Sequence, residues 1–297
     1  MNKVKNIIKA LVLPVLVVLI GCSEDEYVVP GEFTDLSITW SSGAAAVRES
    51  QVNQFFSFMD MSAGATHQEW RIPKSAFFLQ GPIPNNLERH DEYIIDMDDT
   101  VSTDRTVHVL WTKGDTATQV GYYATFRDST SFVFNAYWDS DLGTQVEDTI
   151  KTEFIGGEWV AEYSFILDVY DTVVAVPQIR RLDGTVIDHE NTESITLTVG
   201  DQLEVEDLSA FLEDNNARPD YTKWRAHTFE GDEDNWEYYE LATQTRDGDF
   251  EKKVVDVVTF NRAGQFKIEL TARRERTENL KQSEDIIDLP ITINVVE

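Results

Sequence analysis

Apolar and polar residues alternate along most of this chain, most clearly at Leu197 to Ser209, LTVGDQLEVEDLS, and at Ala263 to Ala272, AGQFKIELTA. In the first, Leu203 and Val205 alternate with Gln202, Glu204 and Glu206; in the second, Phe266, Ile268 and Leu270 alternate with Lys267, Glu269 and Thr271. A period of two predicts a strand with one face in a core and the other in water. Gly200-Asp201 and Ala263-Gly264 supply the preceding turns, since glycine tolerates a positive φ without steric penalty. Between them, TKWRAH predicts a short strand that gives Trp224 to the core. Alternation also predicts strands at Leu36 to Trp40, Thr130 to Tyr137, Thr149 to Phe154 and Trp159 to Tyr170. In the last of these Trp159, Ala161, Tyr163 and Phe165 share a face. No stretch of ten or more residues has a helical period, so the chain is predicted to be all-β.

The pattern occurs twice. Val52 to Ser62, VNQFFSFMDMS, has the spacing of Val199 to Ser209: Val52 matches Val199, Phe56 matches Leu203, Phe58 matches Val205, Asp60 matches Asp207 and Ser62 matches Ser209. A tryptophan follows each copy, Trp70 and Trp224. Val107, Val109 and Trp111 can be laid against Val257 to Phe260, and Gly121 with YYATF approximates the closing strand of the first copy. Two copies of one unit are predicted. The order of Gly200-Asp201 in LTVGDQLEVEDLS, the core Trp224 and the final strand AGQFKIELTA resembles the polycystic-kidney-disease (PKD) domain. That resemblance implies tandem immunoglobulin-like β-sandwiches, one over residues 33–172 with added strands and one over 173–297, joined near residue 172 with little linker.

The N-terminus has a different character. Lys3, Lys5 and Lys9 precede the apolar run Ala10 to Ile20, which is too short for a bilayer span, and Leu19-Ile20-Gly21-Cys22 follows. This is the layout of a secretory signal over residues 1–21. The tetrad resembles a bacterial lipobox, which implies cleavage before Cys22, its acylation, and a membrane-anchored tether over 22–32 that ends in YVVPGE. Ser23-Glu24-Asp25-Glu26 behind the lipid resembles the signal that sends lipoproteins to the outer face of the outer membrane. A single cysteine leaves no intrachain disulfide and no cysteine-based metal site.

Composition narrows the partners. The 297 residues carry 25 Lys and Arg against 54 Asp and Glu, a formal charge of −29. Removal of residues 1–21 takes away three lysines and no acid, shifting it to −32. Nucleic acid is an unsuitable partner, because phosphate binding needs clustered cations, and neutral ligands are favoured over polyanions. No histidine pair has metal-ligand spacing, and no G-x-S-x-G, P-loop or dinucleotide fingerprint occurs. Asp139, Asp141 and Gly143, and Asp232, Asp234 and Asn235, resemble calcium loops but lack the terminal Glu. No cofactor, metal or catalytic constellation is expected, although 54 acids offer many carboxylate pairs that sequence cannot judge.

Aromatic residues carry the functional expectation. Sugars stack their C–H faces on Trp and Tyr while their hydroxyls bond polar neighbours. Trp70, Trp111 and Trp224 are expected in the core, whereas Tyr137, Trp138 and Asp139 at a strand end, Trp236 and Tyr238 in an acidic loop region, and Trp159 are the candidate ligand-binding residues. The overall plan resembles the SusE/SusF type of surface glycan-binding lipoprotein. That resemblance implies a non-catalytic protein that holds a polysaccharide, such as a neutral β-glucan, at the cell exterior for a SusC/SusD-like, TonB-dependent uptake complex. The alternative is a spacer or adhesion module that acts through protein contacts.

Overall fold

The computed structural model of the chain describes residues 33–41, 48–84, 89–139, 144–228, 236–277 and 279–297, with backbone alone over 135–139 and 144–146. Cys22 and the calcium-like Asp232, Asp234 and Asn235 lie outside the described residues. The protein is all-β; among the described residues the two helical turns are 3-10 turns of three residues, Asp91–Tyr93 and Ser209–Phe211.

The first half forms two facing sheets. One has the order β1 (Ile38–Trp40), β3 (Phe55–Asp60), β7 (Thr106–Trp111), β5 (Ala76–Leu79). The other runs β11 (Glu153–Ile155), β12 (Glu158–Tyr170), β8 (Asp115–Phe126), β4 (Ala65–Arg71), β6 (Val101–Ser102), and β2 (Glu49–Gln51) lies parallel to the end of β12. A two-stranded ribbon, β9 (Ser131–Asp139) with β10 (Thr144–Lys151), is inserted between β8 and β12. The second half repeats the plan without a ribbon. β14 (Val186–Ile187), β13 (Pro177–Arg180), β16 (Gln202–Asp207) and β19 (Val254–Thr259) face β15 (Ser194–Thr198), β22 (Thr292–Val296), β20 (Gly264–Arg274), β17 (Tyr221–His227) and β18 (Tyr238–Thr245). β21 (Ser283–Asp288) pairs β20 beyond β22, and β15 lies parallel to β22. Both halves are immunoglobulin-like sandwiches, and among the described residues no sheet mixes strands from before and after residue 172.

Alternation decides what is inside. Phe56, Phe58, Trp70, Val109, Trp111, Tyr122 and Phe165 build the first core, and Leu203, Val205, Trp224, Phe266, Ile268 and Leu270 the second. Trp40 is buried too, with the Arg48 guanidinium 4.9 Å from its ring centroid and Phe134 of the ribbon edge-on at 5.6 Å. The turn expected at Gly200-Asp201 separates β15 from β16, and the Gly200 φ of 96° takes the chain from one sheet to the other. One expected strand divides: Thr149 to Phe154 is shared by β10 and β11.

The repeated Asp-x-Ser ends β3 and β16 in the same way. Ser62 N donates to Asp60 Oδ1 at 2.7 Å and Ser209 N to Asp207 Oδ1 at 2.9 Å. Each serine hydroxyl then accepts from the backbone ahead of the first strand of its half, Ser62 from Ser37 N at 3.0 Å and Ser209 from Val176 N at 3.0 Å. A buried carboxylate thus caps the strand end and closes the sandwich there.

The halves meet through a polar joint. Asp171 accepts from Gly114 N and from Asn216 N, both at 2.7 Å. Asp168 takes Arg218 in a fork, 2.7 and 3.0 Å. Buried Arg274 donates to Asp171 O at 2.9 Å, Ala217 O at 2.8 Å and Gln51 Oε1 at 3.2 Å. The Tyr170 ring lies under both guanidiniums, 4.7 and 4.9 Å away. Gly114 is required here, because a Cβ would stand 2.5 Å from Asp171 Oδ2.

Candidate functional site

β17 runs away from the joint. Tyr221, opposite Arg273, begins it and His227, opposite Lys267 and Tyr238, ends it, so the end of β17 and the start of β18 are at the far end of the second sandwich. Trp224 and Ala226 point to the core, which puts Lys223, Arg225 and His227 on the outer face. There His227 is covered by aromatics. Trp236 stacks on it at 4.7 Å and 20°, and Tyr238 lies 4.9 Å away at 31°. Its Nδ1 is 2.9 Å from Thr228 O and its Nε2 2.7 Å from Asp288 Oδ1. Tyr238 is 43% exposed and carries the Arg225 guanidinium 4.8 Å from its centroid.

The neighbouring cations are paired. Arg225 Nε donates to Glu269 Oε1 at 2.7 Å, Lys223 lies 3.3 Å from Glu240, and Arg262 lies 2.7 Å from Glu237. Hydrogen bonds from Thr243, and then Lys223, hold the Glu240 carboxyl below the usual carboxylate range. Behind Tyr238, the edges of β18 and β19 part around a cleft of about 460 Å³ lined by Tyr239, Glu240, Thr259, Asn261 and Arg262 among others. Burial pushes the Tyr239 phenol up to about 12. The arrangement offers one partly exposed aromatic ring, Tyr238, tilted 31° from His227 and 51° from Trp236 and bordered by hydrogen-bonding groups of both kinds.

Of the candidate residues, the structure brings Trp236 and Tyr238 together. The acidic loop expected there ends sooner than the sequence suggested: Tyr238 and Tyr239 already belong to β18, because Tyr239 packs edge-on against Phe266 at 5.4 Å and holds the strand to the core. Trp236 is half-buried on His227, so Tyr238 is the ring presented to solvent. Tyr137, Trp138 and Asp139 lie on β9, with Trp138 opposite Gln145, and their side chains are outside the described part. Trp159 is elsewhere, at the start of β12, packed on the first core and 5.3 Å from Phe154. His227, Arg225 and Asn261 carry no sequence signal of their own; only pairing across strands assembles them.

A different pair resembles reactive chemistry. Ser57 Oγ lies 2.6 Å from His108 Nδ1, and burial pulls His108 below its ordinary value. No carboxylate among the described residues bonds its other nitrogen, the contact that orients an imidazole as a base.

No family model matches the chain, and no curated protein matches it. Among solved structures it is similar to the Bacillus anthracis TIE protein, at 8% identity over 92% of this chain and 41% of that one, with a TM-score of 0.26. The chain therefore spans about two fifths of that protein's length. It is also similar to CfaE, the adhesive subunit of the CFA/I fimbria of enterotoxigenic Escherichia coli, at 9% identity over 88% and 87% of the two chains, with a TM-score of 0.22. Scores of this size bear on neither fold nor function.

Proposed function

We propose that this chain is a non-catalytic, lipid-anchored surface protein that binds a neutral polysaccharide and serves a TonB-dependent uptake system. The observation that carries the binding role is the exposed Tyr238 ring, backed by His227 and Trp236 and bordered by Arg225, Glu240 and Asp288. A pyranose face gains on such a ring what it would lose on a purely charged surface. Neutrality of the ligand is supported by the pairing of Arg225, Lys223 and Arg262 with carboxylates, which leaves those three cations committed. The formal charge of −29 works in the same direction.

Affinity electrophoresis of residues 22–297 through gels holding neutral and anionic polysaccharides tests this. Retardation by one neutral glycan, lost in Tyr238→Ala and weakened about two- to tenfold in Trp236→Ala, is the expected result, an aromatic contact being worth roughly 0.5–1.5 kcal/mol. Trp138→Ala, run alongside, reports whether the ribbon contributes. The spacer reading is favoured by one feature, the joint at Asp168, Asp171 and Arg274, which fixes the two sandwiches to each other. Absence of retardation by every glycan would leave that reading in place of the first.

A further inference from the structure

The end of the first sandwich opposite the joint carries four exposed apolar side chains among its charged ones. Asp35 exchanges backbone hydrogen bonds with Ala63, and Leu36 N donates to Thr130 Oγ1 at 3.1 Å. Thr130 is bonded in turn to Thr152, which immediately precedes β11. Ala65 and Trp159 both stand opposite Phe126. Phe33, the loop at Met61 and the turn from β11 to β12 are therefore at one end, while the joint residues Asp168 to Asp171 are at and just beyond the other end of β12. At that first end Phe33 is 63% exposed, Met61 51%, Phe154 63% and Ile155 56%. Gly156 and Gly157, with φ of 65° and 102°, close the β11–β12 hairpin, and a Cβ on either would meet nothing within 4 Å. The tip projects into open space: Phe154 touches the edge of the core only through Trp159 and remains mostly exposed.

The chain outside the structure says what covers it. Residues 1–32 precede Phe33 and include Cys22. If a lipid is attached at Cys22, the intervening 22–32 can span at most about 35–40 Å when extended, and roughly 20 Å as a flexible coil. The Phe33 end is then the end nearest the bilayer. We infer that Phe154, Ile155 and Phe33 form a second, peptide-borne contact with the membrane surface on which the chain is anchored. This rests on the lipoprotein reading given above. Glu153 and Glu158 border the tip, so zwitterionic headgroups suit it and anionic ones do not. Three side chains are too few to hold a free protein on a bilayer, but a tethered one meets the surface at high effective concentration. The contact orients the protein, with the Tyr238 site on the half that lies beyond the joint.

Cys22 is the sole cysteine, so residues 22–297 can be coupled through it to a maleimide lipid in phosphatidylcholine vesicles, whatever happens in the cell. Amide hydrogen exchange at 153–159 should slow by about tenfold or more on coupling, as for a local opening suppressed by a contact. Exchange in β17 and β18 should not change. The slowing should vanish in the double variant Phe154→Ser, Ile155→Ser, which alters exposed positions only. Unchanged exchange at 153–159 overturns the inference, and so does equal slowing on lipid-free maleimide beads, which would assign the tip to a second copy of the chain. Acylation is read separately, by palmitate labelling of bacteria that express the whole chain and its Cys22→Ser variant. Failure there removes the anchor, while protection on vesicles still establishes the tip's affinity for lipid.

Discussion

Asp60 and Asp207 hold equivalent positions, yet their surroundings differ. Asp207 is fully buried and accepts from Ser209, Thr222 and Arg246, whose guanidinium also donates to Pro219 O at 3.0 Å. Asp60 Oδ2 has no partner among the described residues. Removing the guanidinium should therefore leave a buried charge uncompensated. Arg246→Met is expected to cost about 3–5 kcal/mol in urea unfolding, a loss confined to the second half if the halves unfold separately. Tyrosines give a second prediction. Burial raises the phenols of Tyr122, Tyr163, Tyr170 and Tyr239 above the usual value. A raised folded value means that the unfolded chain loses these protons first. Stability is then full below the ordinary phenol range and falls as pH climbs through the folded values, which for Tyr239 lie near 12. Melting temperatures measured from pH 8 upward should show that fall, and Tyr239→Phe should lessen it. Because the Tyr239 hydroxyl is buried without a hydrogen-bond partner among the described residues, the same variant should be neutral or stabilising, by up to about 1 kcal/mol, at pH 7.

Elements were legible where a strand has one wet face and one dry face. β16, β20, β17 and β12 all announce themselves by alternation, and the paired spacing of Val52 to Ser62 and Val199 to Ser209 revealed the repeat. Strands at sheet edges were less visible. β18 reads YYELATQT, its burial never passes the half-buried level, and the acidic stretch before it hides its start. β11, wholly exposed, was merged with β10 for the same reason. The candidate site suffered most, since His227, Arg225, Glu269 and Asp288 come from β17, β20 and β21 and become neighbours only through register. Aromatic composition pointed to Trp236 and Tyr238, but not to which of them faces water; the His227 ring beneath Trp236 decides that. The hairpin that carries the apolar tip is itself testable as an element. Replacing Gly156-Gly157 by Val-Val imposes positive φ on β-branched residues, which should fray β11 and raise exchange at 153–155 while leaving the β16 and β20 amides unchanged.

At the scale of the whole molecule, Gly114, Asp171 and Arg274 decide whether the two sandwiches act as one body. Arg274→Ala removes the donors that reach Asp171 O and Gln51 across the joint, together with the bond to Ala217 O inside the second half, a loss of about 2 kcal/mol of coupling between the halves. Small-angle scattering should then report a larger radius of gyration and calorimetry two separated transitions, where the native chain is expected to show one fixed shape. Gly114→Ala, which forces Asp171 aside, should act in the same direction.

The direction of two edge pairings sets how such a chain carries a load. β2 lies parallel to β12, and β15 parallel to β22, so in each half a strand near the beginning is bonded alongside the strand that ends it. If the second half is drawn along a polymer while the Phe33 end is held at a surface, tension enters the first half ahead of β2 and leaves it after β12, and so pulls those two partners in opposite senses along their length. The rungs between them must then yield together, not one after another. Drag from moving fluid is met first by those rungs and by the Asp168–Arg218 fork, and the sandwiches should outlast many contacts with the polymer.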